Sequence, residues 1–355
     1  MKMFNLSFYK GKKVLITGHT GFKGTWLCKI LVNAGAEVTG YSLEAPTTPN
    51  LFSLAGLENN MNSVIGDIRD FKHLYEVFDA TKPEIVFHLA AQPIVRESYK
   101  NPRYTYETNV MGTVNLLECV RHFSCVKSVL NVTTDKVYQN NEWCWGYREC
   151  EPLDGYDPYS NSKSCSELVT HSYKNSFFTD KEIAISTARA GNVIGGGDFA
   201  VDRIIPDCVR AMEKGEVIGV RNPYSTRPYQ HVLEPLAVYL MIAGKQYEDI
   251  TYQGYYNVGP DESDCVTTGK LVDLFVQHWG DNASWENQAE TDSPHEANYL
   301  KLDCSKIKNV FGWQPRWHIS ECMEMVCRFS KVWLTGGNIS QEMDSEISEF
   351  FDKEN

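Results

Sequence analysis

With 355 residues, 42% apolar and 23% charged, the chain can bury one large core or two, which excludes a stapled miniprotein and a disordered polymer. A net charge of −12 argues against nucleic acid and anionic membrane as partners, since both need a basic face that releases counterions; a local basic pocket for one small anion stays open. No stretch approaches the roughly 20 apolar residues that span a bilayer, and MKMFNLSFYKGKK has no signal-peptide core. The eleven cysteines lack a CxxC pair and read as reduced thiols of a cytoplasmic protein, with zinc or disulfides as the minor reading.

Lys13-Val14-Leu15-Ile16-Thr17 has the length of a buried strand and runs into glycine-rich sequence, and residues 26–32 follow with helical spacing. Ala34-Gly35-Ala36 ends that helix before a second strand at 37–41, and 63–66 suggests a third, ahead of Asp67. The pattern repeats as helix 71–80, strand 85–89, helix 109–122, strand 129–133, helix 162–177 and strand 183–188. Strands alternating with helices imply parallel pairing covered on both faces. The expected fold is therefore α/β, a doubly wound parallel sheet of the Rossmann type over residues 1–191. Past Asn192 the rhythm loosens around Gly195-Gly196-Gly197, although 232–243 and 270–279, behind Thr267-Thr268, remain periodic. A smaller, less regular α/β substrate region is expected over 192–231 and 259–355, with about 232–258 returning to the first domain. The acidic stretch 342–355 reads as a helix fraying into a tail.

Thr17-Gly18-His19-Thr20-Gly21-Phe22-Lys23-Gly24 lies between strand and helix. There its glycines can turn sharply, admit a pyrophosphate and pack helix on sheet, while the helix N-terminus aims unpaired amides at the phosphates of a dinucleotide. The alternative is a tight turn that needs glycine for backbone reasons alone. In Tyr159-Ser160-Asn161-Ser162-Lys163 the spacing puts phenol and ammonium on one helix face. The cation is expected to lower the tyrosine pKa toward neutrality, so that the phenolate removes a sugar hydroxyl proton as hydride leaves the same carbon. A surface Tyr/Lys pair is the alternative.

The GxxGxxG spacing, with His88-Leu89-Ala90-Ala91-Gln92, Tyr106-Glu107-Thr108-Asn109-Val110-Met111-Gly112-Thr113 and the Tyr159/Lys163 pair, resembles the extended short-chain dehydrogenase/reductase family over most of the chain. The resemblance implies NAD held by Gly18, Thr20, Gly21, Phe22, Lys23 and Gly24, by Leu89, Ala90 and Ala91, and by Tyr159 and Lys163. Asp67-Ile68 resembles the pair that contacts adenine, with a helix cap as the other reading of Asp67. Where the family usually carries an acid for the ribose hydroxyls, this chain has Ser42; no arginine stands beside it for a 2′-phosphate, so NAD is preferred to NADP.

Sugar-nucleotide epimerases of this family usually have Ser/Thr and a small residue before a Val-Tyr pair. Here Thr133-Thr134-Asp135-Lys136-Val137-Tyr138 inserts an acid and an amine. It resembles the Thr-Asp-Glu triplet of nucleotide-sugar 4,6-dehydratases, with lysine third as in the branch handling CDP-glucose. Once carbon 4 is oxidised, the hydrogen on carbon 5 becomes acidic, and loss of hydroxide from carbon 6 needs a proton donor. Asp135 is the candidate acid. Lys136 is the candidate base, or else a salt-bridge partner of Asp135 or a brace for the enolate. Thr134 is expected to hydrogen-bond the carbon 4 hydroxyl and assist Tyr159, with Thr133 nearer the strand and structural. The rivals are another nucleotide-sugar 4,6-dehydratase, a UDP-sugar 4-epimerase, and a silent NAD-binding regulator.

Arg227 resembles the arginine of the family's substrate segment, and its planar fork suits phosphate oxygens; Arg203 is a second candidate with a surface role as its alternative, and Arg221 a weaker one. Asn192 resembles an asparagine near the sugar nucleotide, and Ser98 a polar residue beside the sugar, with a loop cap as alternative. Residues 295–303 and 311–315 resemble the closing segment of such enzymes. Helices 109–122 and 162–177 correspond to those that pair between subunits, implying a homodimer or homotetramer. The histidines have neither HxH nor HExxH spacing, so no metal is expected.

Overall fold

Seven short runs rich in Val, Ile, Leu and Thr form one sheet in the computed structural model, which describes residues 5–179, 181–289 and 299–352. They are β1 (Lys13–Thr17), β2 (Glu37–Ser42), β3 (Asn62–Ile65), β4 (Ile85–His88), β5 (Ser128–Thr134), β6 (Ala184–Ala190) and β7 (Tyr255–Val258). The spatial order is β3-β2-β1-β4-β5-β6-β7, with every pair parallel. Winding reverses between β1 and β4, which opens a crevice beyond their carboxyl ends.

Period-two alternation sends Val14, Ile16, Phe87 and Leu130 into one buried cluster and Leu15, Val86, Val129 and Ile185 into the other. All residues of β4, β5 and β6 are buried, as a sheet covered on both faces requires. The principal covering helices are α1 (Phe22–Asn33), α2 (Phe71–Thr81), α3 (Gly112–His122), α4 (Pro158–Tyr173), α5 (Ile204–Lys214), α6 (Leu233–Glu248), α7 (Thr268–Trp279), α8 (Ile319–Leu334) and α9 (Ile339–Asp352). Helix α6 packs on β5 and β6. Beyond β6, three two-stranded ladders (193–194 with 230–231, 226–228 with 265–267, 218–220 with 285–287) give the less regular region its form.

The α/β reading of the sequence holds, and the differences have local causes. Helix α4 starts at Pro158, four residues before the expected 162, because Asp157 caps it; its carboxylate accepts from the Ser160 amide at 3.0 Å and the Ser160 hydroxyl at 2.6 Å. Proline fits the first turn, where its missing N–H has no acceptor to lose. The polar run 158–163 gave no apolar period to reveal this start. Helix α3 is preceded by a π turn, Glu107–Met111. Helices α5 and α8 were not anticipated; the first buries Ile205, Cys208 and Val209, the second Cys322, Met323, Val326 and Phe329. Helix α9 is anchored by buried Met343, Ile347 and Phe350, and residues 353–355 lie outside the described residues. So do 295–298 of the expected closing segment. Among the described residues no helix is long and apolar enough to cross a membrane, and all eleven cysteines are free thiols.

Replacing Asp157 by Ala leaves the Ser160 amide without its cap and should cost about 1–2 kcal/mol. Urea unfolding measures it, and an unchanged midpoint would contradict the capping role.

Candidate active site

The strand-turn-helix after β1 is packed too closely for any side chain at two glycines. Gly18 has φ +78°, and a Cβ there would lie 2.8 Å from the Ala90 nitrogen; one at Gly24 would lie 2.1 Å from the Gly18 carbonyl oxygen. Gly21 occupies the N-cap of α1 and supplies no side-chain cap. The first-turn amides of α1 therefore keep their capacity for an anion in the crevice. Half-buried Leu89, Ala90 and Ala91 form the facing wall after β4, with the Ala90 amide donating to Thr17 Oγ1 at 3.2 Å. This cradle fits a dinucleotide pyrophosphate, with Phe22 and Lys23 half-buried at the start of α1.

Ser42 ends β2 as expected, but its hydroxyl already belongs to a buried chain. It lies 2.8 Å from Thr20 Oγ1 and 3.1 Å from His19 Nδ1, and donates to the Leu43 carbonyl at 2.9 Å; His19 Nε2 continues to Ser63 at 2.7 Å. Burial pushes His19 down to about 4, so the chain is neutral. Asp67 caps its own turn, accepting from the Arg69 amide at 2.9 Å, and pairs with the Arg69 guanidinium at 2.6 Å, which holds its carboxyl below the usual range. Arg69, which the sequence reading passed over, also pairs with Glu107 at 3.5 Å and lies over the Tyr104 ring. Ile68 is buried against Gly112.

At the end of β5 the chain enters a 3-10 turn, Asp135–Val137. Thr134 Oγ1 donates to Asp135 Oδ1 at 2.8 Å and accepts from the Lys136 amide at 3.4 Å. Asp135 is only 2% exposed, and its Oδ2 has no hydrogen-bond partner among the described residues. Burial raises its pKa, while Lys136, Thr134, Arg227 and Lys23 pull it back. Burial of this kind favours the protonated form of a carboxyl over the ionised one.

Tyr159 stands in the first turn of α4, with the Thr134 hydroxyl beside it. The expectation that Lys163 brings this phenol toward neutrality is not met by the protein alone. Burial pushes Tyr159 up to about 12, opposed by Thr134 and Arg203. The Lys163 ammonium instead donates to the Val132 carbonyl at 3.1 Å; burial, then the charge of Lys23, lowers it to about 8. Thr133 points away from the crevice and donates to Glu167 at 2.5 Å.

Arg227, 3% exposed on the strand Thr226–Pro228, acts on Asp135. Arg203, at the N-cap of α5, pairs with Asp198 at 2.8 Å, and its charge bears on both Tyr159 and Lys23, so it faces the centre rather than only solvent. Burial, then Arg203, brings Lys23 down to about 8. Arg221 is engaged by Asp202 and Asp207. Ser98 is fully buried and donates to the Val95 carbonyl at 2.7 Å, the geometry of a local cap. Asn192 adjoins the 193–194 ladder through its carbonyl, which accepts from the Gln230 amide at 3.0 Å. The crevice thus brings together a phenol, a buried carboxyl and the cations Arg203 and Arg227.

Residues 15–326 match the family model described as GDP-mannose 4,6 dehydratase. The chain is 50% identical over 354 residues to the CDP-glucose 4,6-dehydratase of Salmonella typhimurium, covering 98% of each. Its structure resembles that of UDP-glucose 4-epimerase from Thermotoga maritima with UDP-glucose (TM-score 0.79, 21% identity, 90% of this chain and 99% of that one). It also resembles dTDP-glucose 4,6-dehydratase from Bacillus anthracis in complex with NAD (TM-score 0.77, 20% identity, 90% and 97%). At these identities the two structures show the shared fold alone.

His88, on β4 between Thr17 Oγ1 (2.7 Å) and Thr113 Oγ1 (3.2 Å), is pushed down to about 3 by burial, then by Lys163. Its folded value lies below the unfolded one, so its contribution is present above about pH 6.5 and is lost as pH falls toward 3. Between about pH 7 and 5, unfolding free energy of a His88→Gln variant should fall less steeply than that of the parent, by up to about 1.4 kcal/mol per pH unit. Equal slopes in urea titrations would contradict a neutral buried His88.

Proposed function

The chain belongs to the GDP-mannose 4,6 dehydratase family of extended short-chain dehydrogenase/reductases, and from that premise we propose that it converts CDP-glucose to CDP-4-keto-6-deoxyglucose with retained NAD. One observation carries the reaction type: a buried acid, Asp135, with an unpartnered oxygen directly after Thr134. A 4-epimerase needs no such group. Half identity over nearly the whole length to a CDP-glucose 4,6-dehydratase supports the choice of nucleotide sugar. NAD is preferred to NADP because Ser42 is committed within the protein and Arg69 is held by Asp67 and Glu107.

Gly18, Thr20, Gly21, Phe22, Lys23 and Gly24 would hold NAD+, which when bound would supply the hydride acceptor for carbon 4 and the hydride donor for carbon 6. Tyr159, assisted by Thr134, takes the proton of the carbon 4 hydroxyl. Burial holds that phenol at about 12, so it becomes a base only when positive charge enters the crevice. The new ketone loosens the carbon 5 proton, which Lys136 removes or whose enolate it braces. Asp135 then protonates the departing carbon 6 hydroxyl and water leaves, giving a 5,6-unsaturated ketone; as hydride adds to carbon 6, a proton returns to carbon 5 from Lys136 or solvent. Asn192 borders the sugar, Ser98 supports the adjoining loop through Val95, and Arg203 and Arg227 counter the diphosphate.

The division into a dinucleotide domain (1–191 with about 232–258) and a sugar-nucleotide region is supported by α6 packing on β5 and β6 and by β7 completing the sheet. Exposed Met111, Leu168 and Phe177, on or adjoining helices α3 and α4, support a homodimer or homotetramer. Eleven free thiols support a reducing, cytoplasmic setting.

Incubation with CDP-glucose and no added NAD should yield a 4-keto sugar, read by its ultraviolet absorbance in base, ahead of UDP-, dTDP- and GDP-glucose in a parallel panel. An epimer without a keto sugar would reject the reading. Tyr159→Phe should cost turnover about 100-fold or more with folding intact, and Asp135→Asn a similar factor in water loss. Unchanged turnover in either would remove that residue from the mechanism.

A further inference from the structure

Behind the turn that carries Asp135 lies a buried ion pair that no step above uses. Glu167 Oε2 and Arg189 Nη2 meet at 2.9 Å, with Glu167 1% and Arg189 3% exposed. Two charges taken this far out of water gain little net stability, since desolvation offsets their attraction; an apolar pair of similar volume would often do as well. Their hydrogen bonds show what the pair holds.

Glu167 Oε1 accepts from Thr133, the residue immediately before the Thr134-Asp135-Lys136 segment. Arg189 Nη1 donates at 2.9 Å to the hydroxyl of Tyr138, at the other end of the turn. The Tyr138 hydroxyl in turn donates to Asn257 Oδ1 on β7 at 2.6 Å, and Glu167 Oε2 also accepts from Thr187 on β6 at 2.8 Å. Thr133 and Tyr138 are buried as well. Both ends of the turn are thus tied to one ion pair. Glu167 lies on α4 one helical turn past Lys163 and two past Tyr159, so the same carboxylate joins the acid's turn to the base's helix.

We propose that Glu167 and Arg189 form a clamp that sets the separation of Asp135 from Tyr159. They are positioning residues, acting through Thr133 and Tyr138 without touching substrate. The proposal rests on the reading of Asp135 as the acid. Tyr159 and Asp135 must address carbon 4 and carbon 6 of one bound sugar, and displacement by about 1 Å can cost orders of magnitude in rate. Because Tyr159 rides on α4 while Asp135 rides on the turn, loosening the turn slows loss of water more than oxidation, in which only the assisting Thr134 moves with it.

The test uses holoenzyme carrying Thr133→Val or Tyr138→Phe, each of which cuts one end of the turn from the clamp while leaving Glu167 and Arg189 paired. Each should lower kcat about tenfold or more, with KM for CDP-glucose within about twofold. The near-ultraviolet absorbance of reduced nicotinamide should accumulate on mixing with substrate, and Thr133→Ser should restore the parent behaviour. Parent kcat in both variants, or a fall in kcat that merely tracks a lowered melting temperature without that absorbance, overturns the clamp. Asp135→Asn run beside them separates the two claims. If it stops water loss while the clamp variants match the parent, the clamp alone fails; if it turns over like the parent, the acid assignment fails and the clamp falls with it.

Discussion

A carboxyl group kept out of water at the carboxyl end of a parallel sheet is the constraint on which this site depends. β5 delivers Asp135 into the crevice, where burial raises its pKa above the ordinary carboxylate value against the attraction of Lys136, Arg227 and Lys23. The same dryness acts on its neighbours in the opposite sense for cations and in the same sense for the phenol. Lys163 and Lys23 come down to about 8, and Tyr159 goes up to about 12. In the chain alone, burial therefore favours the proton on both Asp135 and Tyr159. On the proposed mechanism, positive charge arriving with the dinucleotide lowers the phenol, which couples proton removal to occupancy of the cradle.

The polar groups beneath the crevice are joined rather than isolated. Thr17, His88 and Thr113 form one buried run that continues to Ser166 at 2.9 Å, and Asn131 reaches Ser166 at 3.0 Å and Thr170 at 2.9 Å. Such a seam fixes α3 and α4 against the sheet, because each member left unpaired would pay for its own desolvation. Glu167 and Arg189 form a second buried set, which reaches the two ends of the Asp135 turn.

Much of this was legible in the sequence. The apolar runs of β1, β4 and β5 and the glycines before α1 identified the sheet, its parallel sense and the cradle, because these depend on local period and on backbone packing. Thr134 through Lys136 announced themselves by putting charge where a buried strand ends. What depends on distant pairing was hidden. Thr133 meets Glu167 across 34 residues and Tyr138 meets Arg189 across 51, so no window could show either. The one local signal, unread in the sequence, was the spacing of Glu167 with Tyr159 and Lys163 on one helix face. Asp157 concealed the start of α4 because a polar first turn carries no apolar period. The direction of the Tyr159 shift was misjudged because adjacency to an ammonium in sequence does not measure burial.

The central claim is that one hydrogen leaves carbon 4 and returns within the same sugar while water departs from an enclosed site. CDP-glucose carrying deuterium on carbon 4 tests it most directly. The account predicts the label in the new carbon 6 methyl group of the product. Deuterium appearing in solvent or in an added free coenzyme pool, with an unlabelled methyl group, would contradict it.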